Sequence, residues 1–105
     1  MSPDGKVIVI SLSTQEGQGL VIHDSISGTE IKRINLEYDG KVIFLNDGTL
    51  VATDNTHIRF FDPRTWQQVR EIAGGDDFSA YELDVSAKDE FLAVADWNGV
   101  RVWRL

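Results

Sequence analysis

An all-β fold of short antiparallel strands is what this sequence predicts, and three observations predict it. Apolar runs rich in Val, Ile, Leu and Phe are short and are separated by clusters of Gly, Asp, Asn and Ser, the residues of turns. Helical periodicity of the apolar residues is almost absent. Both prolines, Pro3 and Pro63, fall between the runs, where a residue without an N–H is tolerated. The runs follow one another too closely for crossover helices, so neighbouring strands must pair antiparallel as meanders.

The first element is the turn Ser2-Pro3-Asp4-Gly5, in which Pro sets φ, Asp caps the backbone and Gly supplies a positive φ. It opens onto a strand over 6–12. Strands follow over 19–24, 29–36, 41–45, 49–54, 57–62, 67–72, 78–85, 91–95 and 100–104. The polar stretch 13–19, STQEGQG, reads as a loop longer than its counterparts at 55–56 and 97–99. An insertion at such a place in a repeat often belongs to a binding face.

Repeats organise these strands. IHDSISGTEIKRI (22–34) and FFDPRTWQQVREI (60–72) each carry two large residues, then Asp, a short turn and a strand. His23-Asp24 thus matches Phe61-Asp62, Ile31 matches Val69, and Ile34 matches Ile72. VRVWRL (100–105) supplies a third copy, cut off just after Trp103. Upstream, SPDGKVIVI (2–10), LNDGTLVAT (45–53) and SAKDEFLAV (86–94) are each a turn followed by an apolar strand. A period near 40 residues with four short strands is the pattern of propeller blades.

The chain resembles the WD40 repeat family. The residues that carry the likeness are the turn Ser2-Pro3-Asp4-Gly5-Lys6 and the pairs His23-Asp24 and Phe61-Asp62 with their trailing strands. The turn 24–29, DSISGT, fits the family pattern closely, and 61–66, FDPRTW, fits with Trp66 where Gly is usual. The likeness covers essentially the whole chain. It departs from the family at several points. No Gly-His pair precedes the first strands, where Tyr38-Asp39-Gly40 and Gly74-Gly75-Asp76-Asp77 stand. Asn55 and Asn98 lie near the place of the family's tight-turn Asp, and His23 and Phe61 replace Trp, which leaves Trp103. The family's buried hydrogen-bond tetrad therefore cannot form in full, and apolar packing between blades is expected to hold the fold.

The resemblance implies an incomplete propeller of antiparallel four-stranded blades. It divides the chain into a blade lacking its first strand (1–37), a complete blade (38–75) and a blade lacking its last strand (76–105). Propellers close with 4–8 blades, so about two and a half would form an open arc. Val7, Val9, Phe91, Val94 and Trp103 are expected to lose neighbours at its ends. The chain is then a piece of a larger propeller, or a unit completed by other blades or by copies of itself.

Composition narrows the function. A net charge of −7 argues against nucleic-acid backbones and anionic membrane surfaces, which attract basic patches, and favours a basic protein or peptide partner. The absence of cysteine removes disulfides, thiolate metal sites and a thiol nucleophile. No apolar run approaches the length of a membrane helix, and no signal peptide opens the chain, so a cytoplasmic protein is the expectation.

Few residues suggest chemistry. His23 and His57 have no HxH or HxxxH spacing and read as packed or capping histidines. Glu82 and Asp84 share one face of their strand, opposite Tyr81, Leu83 and Val85, as on a half-exposed strand. Asp76-Asp77 lacks the ligand spacing of a calcium loop, and Gly17, Gly19 and Gly74-Gly75 lack the context of a phosphate loop. No catalytic residue, cofactor or metal ligand is assigned, and an enzyme is not expected. Trp97, Asn98, Tyr38, Asp39, Asp76 and Asp77 are instead expected to form one contact face, with Trp66 on the opposite face. WD40-like proteins generally act as interaction scaffolds, which is what the resemblance implies. The alternatives are a self-assembling structural unit, or part of an enzymatic propeller whose active site lies outside this chain.

Overall fold

The computed structural model describes residues 1–14, 17–36, 41–54, 56–74, 78, 80, 82–97 and 99–105. Among them there are ten strands and no helix, hence none long and apolar enough to cross a membrane. The strands are β1 (Val7–Thr14), β2 (Gly17–Asp24), β3 (Glu30–Asn35), β4 (Val42–Phe44), β5 (Leu50–Thr53), β6 (His57–Phe61), β7 (Gln68–Ala73), β8 (Glu82–Val85), β9 (Phe91–Asp96) and β10 (Gly99–Arg104). They form three antiparallel meanders, β1-β2-β3, β4-β5-β6-β7 and β8-β9-β10, none closed on itself.

Alternation along the strands stacks the sheets face to face. Leu50, Ala52 and Phe61 of the central sheet pack against Leu20, Ile22 and Ile34 of the first, with Val7 and Val9 alongside. Its other face offers Val51, Ile58 and Phe60 to Leu83, Leu92 and Val94 of the third sheet, with Phe78 filling the gap. Strand β5 is therefore buried at every position, because both its faces are covered. A register shift between Phe60 and Phe61 lets two consecutive aromatics serve opposite faces. Strands β3 and β7, last in their sheets, are mostly exposed.

The entry turns repeat in detail. Ser2 N–H bonds to Val7 O, Leu45 N–H to Thr49 O and Ser86 N–H to Phe91 O. A left-handed residue closes each turn: Gly5 (φ 74°), Gly48 (φ 92°) and Asp89 (φ 57°). In the turns after β2 and β6 the same conformation falls on Gly28 (φ 74°) and on Trp66 (φ 60°). For a bulky side chain it costs roughly 1–2 kcal/mol. Trp66 offsets part of that by packing against the cluster between the first and central sheets.

Three expectations are corrected. The stretch 13–19 is not a long loop: the β1–β2 ladder runs on through Ser13 opposite Gln18 and Thr14 opposite Gly17. Backbone bonds carry a hairpin whatever its side chains, so a polar composition did not stop it. The strand expected over 78–85 is confined to Glu82–Val85, and Phe78 is instead a core residue outside any strand. Finally, Val7, Val9, Val94 and Trp103 pack between sheets. Of the residues expected at uncovered ends only Phe91 is exposed, joined by Ile10, Val100 and Val102. These point away from the neighbouring sheet because side chains alternate along a strand.

Candidate functional site

The strongest polar feature lies where β5 turns into β6. Asp54 is buried, and its Oδ1 accepts from the N–H groups of Thr56 (2.8 Å) and His57 (2.7 Å) and from the Thr56 hydroxyl (3.0 Å). Its Oδ2 meets Arg59 Nε at 2.5 Å. Arg59 reaches on through Nη1 to Glu71 (2.9 Å) and Gln68 (3.2 Å) of β7. Burial pushes the Asp54 carboxyl up, but the donors from Thr56, Arg59 and His57 outweigh it and hold the group below its ordinary value. Four donors around one carboxylate make it a brace for the turn, with little basicity left for proton abstraction.

The β9–β10 turn repeats the arrangement 42 residues later, at the spacing that relates Phe61 to Trp103. Asp96 is buried and its Oδ2 accepts from Arg101 Nη2 at 2.6 Å. The Arg101 guanidinium lies over the rings of Phe78 (5.4 Å) and Trp103 (5.3 Å). Sequence reasoning placed Asn55 and Asn98 near the tight-turn acid. The turn acids are Asp54 and Asp96, and the missed signal was the matched spacing of DNTHIR (54–59) and DWNGVR (96–101).

Turn carboxylates elsewhere have the same task. Asp24 Oδ1 accepts from the N–H groups of Ile26 and Ser27 (2.9 Å each), and Asp4 Oδ1 accepts from Lys6 N–H and the Ser2 hydroxyl. These backbone donors hold both carboxyls below their ordinary value. Asn46 N–H donates to Asp89 Oδ2 (2.8 Å) and Asn46 Nδ2 to Ala87 O (2.7 Å), which ties the entry turns of the central and third sheets together.

Of the expected contact face, Trp97 stands in the β9–β10 turn with 76% of its surface exposed. Asn98, Tyr38, Asp39, Asp76 and Asp77 lie outside the described residues. Lys41 and Glu82, which lead into β4 and β8, lie beside Thr53 and Ala95 at the ends of their sheets that carry the β5–β6 and β9–β10 turns. Trp66 is half-buried on its own sheet. His23 Nδ1 is bonded to Gly28 O (3.1 Å) and His57 Nδ1 to the Thr56 hydroxyl (2.8 Å). Glu82 and Asp84 are exposed while Leu83 is buried. Among the described residues no three His, Asp or Glu side chains gather as a metal site would need. A cleft of about 280 Å³ opens between the end of β3 and the central sheet, lined by Ile34, Leu36, Asp54, Arg59, Phe61 and Gln68.

No protein-family model matches this chain, and no curated protein matches it. In fold the chain is similar to part of a solved structure, hydrazine synthase from Kuenenia stuttgartiensis, with a TM-score of 0.82 and 22% sequence identity. The match covers 99% of this chain and 31% of that one, so this chain spans about a third of that protein's length. At this identity the likeness is one of fold.

Proposed function

We propose that the chain is an arc of a β-propeller, similar to WD40 repeats, and that it acts as a protein-interaction scaffold without catalysis. The observation that carries this is the exposed Trp97 on a turn whose base is locked by Asp96 and Arg101. A large aromatic on a rigid turn presents contact area at low entropic cost, and Trp is enriched at binding hot spots. Three meanders stacked at a period near 40 residues support the propeller geometry, in which such turns line one face. The net charge of −7 favours a basic protein or peptide as partner. A cytoplasmic setting is part of the same proposal.

The test is selection of a random displayed peptide library on the chain, with Trp97→Ala as counter-target. Peptides that bind the unaltered chain at least about fivefold tighter, a difference of about 1 kcal/mol, support the proposal. A selection that yields only peptides indifferent to Trp97 overturns it. The exposed Val100 and Val102 favour a second reading, a structural unit that assembles with its own copies through its end sheets. Light scattering over a range of concentrations separates the two, since that reading requires a stable multiple of 11.8 kDa.

A further inference from the structure

The cleft of about 280 Å³ between the end of β3 and the central sheet takes no part in the contact proposed for Trp97. The residues that line it lie between 34 and 68, in the interior of the chain. Its volume is close to the lower end, about 300 Å³, of pockets that hold small organic molecules. Ile34, Leu36 and Phe61 supply its apolar part. All three belong to the cluster that packs the first sheet on the central one, so this part is held in place without a ligand.

The polar part is rich in donors. Arg59 spends Nε on Asp54 and Nη1 on Glu71 and Gln68, and no acceptor for Nη2 stands among the described residues. Gln68 takes Arg59 on Oε1 and gives one N–H to Glu71, which leaves its second N–H. Acceptors are nearly used up. Asp54 Oδ1 takes three donors from Thr56 and His57, and Oδ2 takes Arg59. The exposed side chain of Asn35 offers an amide oxygen as well as its N–H groups.

Charge narrows the choice of ligand. The single cation, Arg59, is flanked by Asp54 and Glu71. An anion on Nη2 would meet one positive charge and, scarcely farther away, two negative ones. An amidinium or ammonium group would bring donors to a nitrogen that itself only donates. A neutral group that accepts with one atom and donates with another meets neither conflict.

We infer that this cleft binds small neutral carboxamides. The carbonyl oxygen accepts from Nη2 of Arg59 and the remaining N–H of Gln68, the ligand's N–H donates to Asn35 Oδ1, and its apolar body lies against Ile34, Leu36 and Phe61. Selectivity comes from charge and from the pairing of donors with acceptors, since the wrong ligand leaves a group unpaired. The site uses neither Trp97 nor its turn, and it stands or falls independently of that proposal.

The probes are benzamide, benzoate and benzamidine, which share nearly one shape and at neutral pH are uncharged, anionic and cationic. Each is titrated into the ¹⁵N-labelled 105-residue chain, and the backbone amide shifts are followed. Benzamide is expected to give saturable shifts confined to 34–36, 56–61 and 68, with a Kd of about 1 mM, as suits so small a ligand. Benzoate and benzamidine are each expected to bind at least about fivefold more weakly. Asn35→Ala, which alters an exposed side chain, should weaken benzamide about threefold. Should that variant fail to fold, the three ligands on the unaltered chain decide alone. Benzoate or benzamidine binding as tightly as benzamide overturns the inference. So does an unchanged benzamide affinity in folded Asn35→Ala, a set of shifts centred elsewhere, or the absence of saturable shifts.

Discussion

The central and third sheets place equivalent residues in opposite surroundings. Ile58 and Phe60 of β6 are 0% and 3% exposed, whereas Val100 and Val102, at the same positions of β10, are 70% and 61% exposed. All four are apolar, so the local sequence of a strand does not reveal whether its face is covered. What decides is the neighbouring sheet. The same holds for polar groups. Arg59 has acceptors on two sides, Asp54 in its own hairpin and Glu71 of β7, whereas among the described residues Arg101 is paired with Asp96.

This contrast can be broken in measurable ways. The largest expected effect is Phe60→Ala, which removes a ring from the cluster between the central and third sheets and should cost about 3–5 kcal/mol by urea denaturation. Val102→Ala should cost less than about 1 kcal/mol. Comparable losses would mean that the outer face of the third sheet is covered in solution. Next is Asp54→Ala, which strips an acceptor from two N–H groups, a hydroxyl and Arg59, and should cost about 3 kcal/mol.

A pH dependence follows from the same carboxyl. Its folded value lies below the unfolded one near 3.8, so the unfolded chain binds the proton first. The stabilisation is fully present above that unfolded value and is lost as pH falls through the folded value. Asp54→Asn should flatten this part of an acid-unfolding curve, leaving what Asp4 and Asp24 contribute by the same sign. An unchanged acid limb would remove Asp54 from that role.

Gly74→Ala should be milder, about 2 kcal/mol, since a Cβ there would meet the Phe78 ring at 2.2 Å and force it to shift. Smallest is Trp97→Ala, expected to change stability by less than about 0.5 kcal/mol. A larger loss would show that the exposed ring braces its own turn.

All ten strands could be read from the sequence, because β-branched runs bounded by Asp, Gly and Ser leave little else to form. Which face each strand buries was harder. The entry turn spans Ser2 to Val7 and Ser86 to Phe91 but only Leu45 to Thr49, and a slip of one residue exchanges the two faces of a strand. This is why an ungapped comparison of SPDGKVIVI with LNDGTLVAT mispredicts the residues at the ends of the stack. The Asp–Arg braces were also present as a spacing, five residues within each pair. They were hidden because acidic residues are common in turns, and only the fold brings the arginine back across the hairpin. Trp97 was legible as a turn residue, since its neighbours Asp96 and Gly99 are turn formers.

Among the described residues the two apolar clusters share none, and they are separated by the thickness of one sheet. In consequence the molecule is wired in series. A disturbance at Leu20 can reach Leu92 only through β4–β7, so the middle sheet acts as a hinge pin whose own melting uncouples both ends at once. Either outer sheet, by contrast, can fray while the other interface remains intact. Under a pulling force applied to the two termini, the outer sheets should peel one after the other and the centre should yield last.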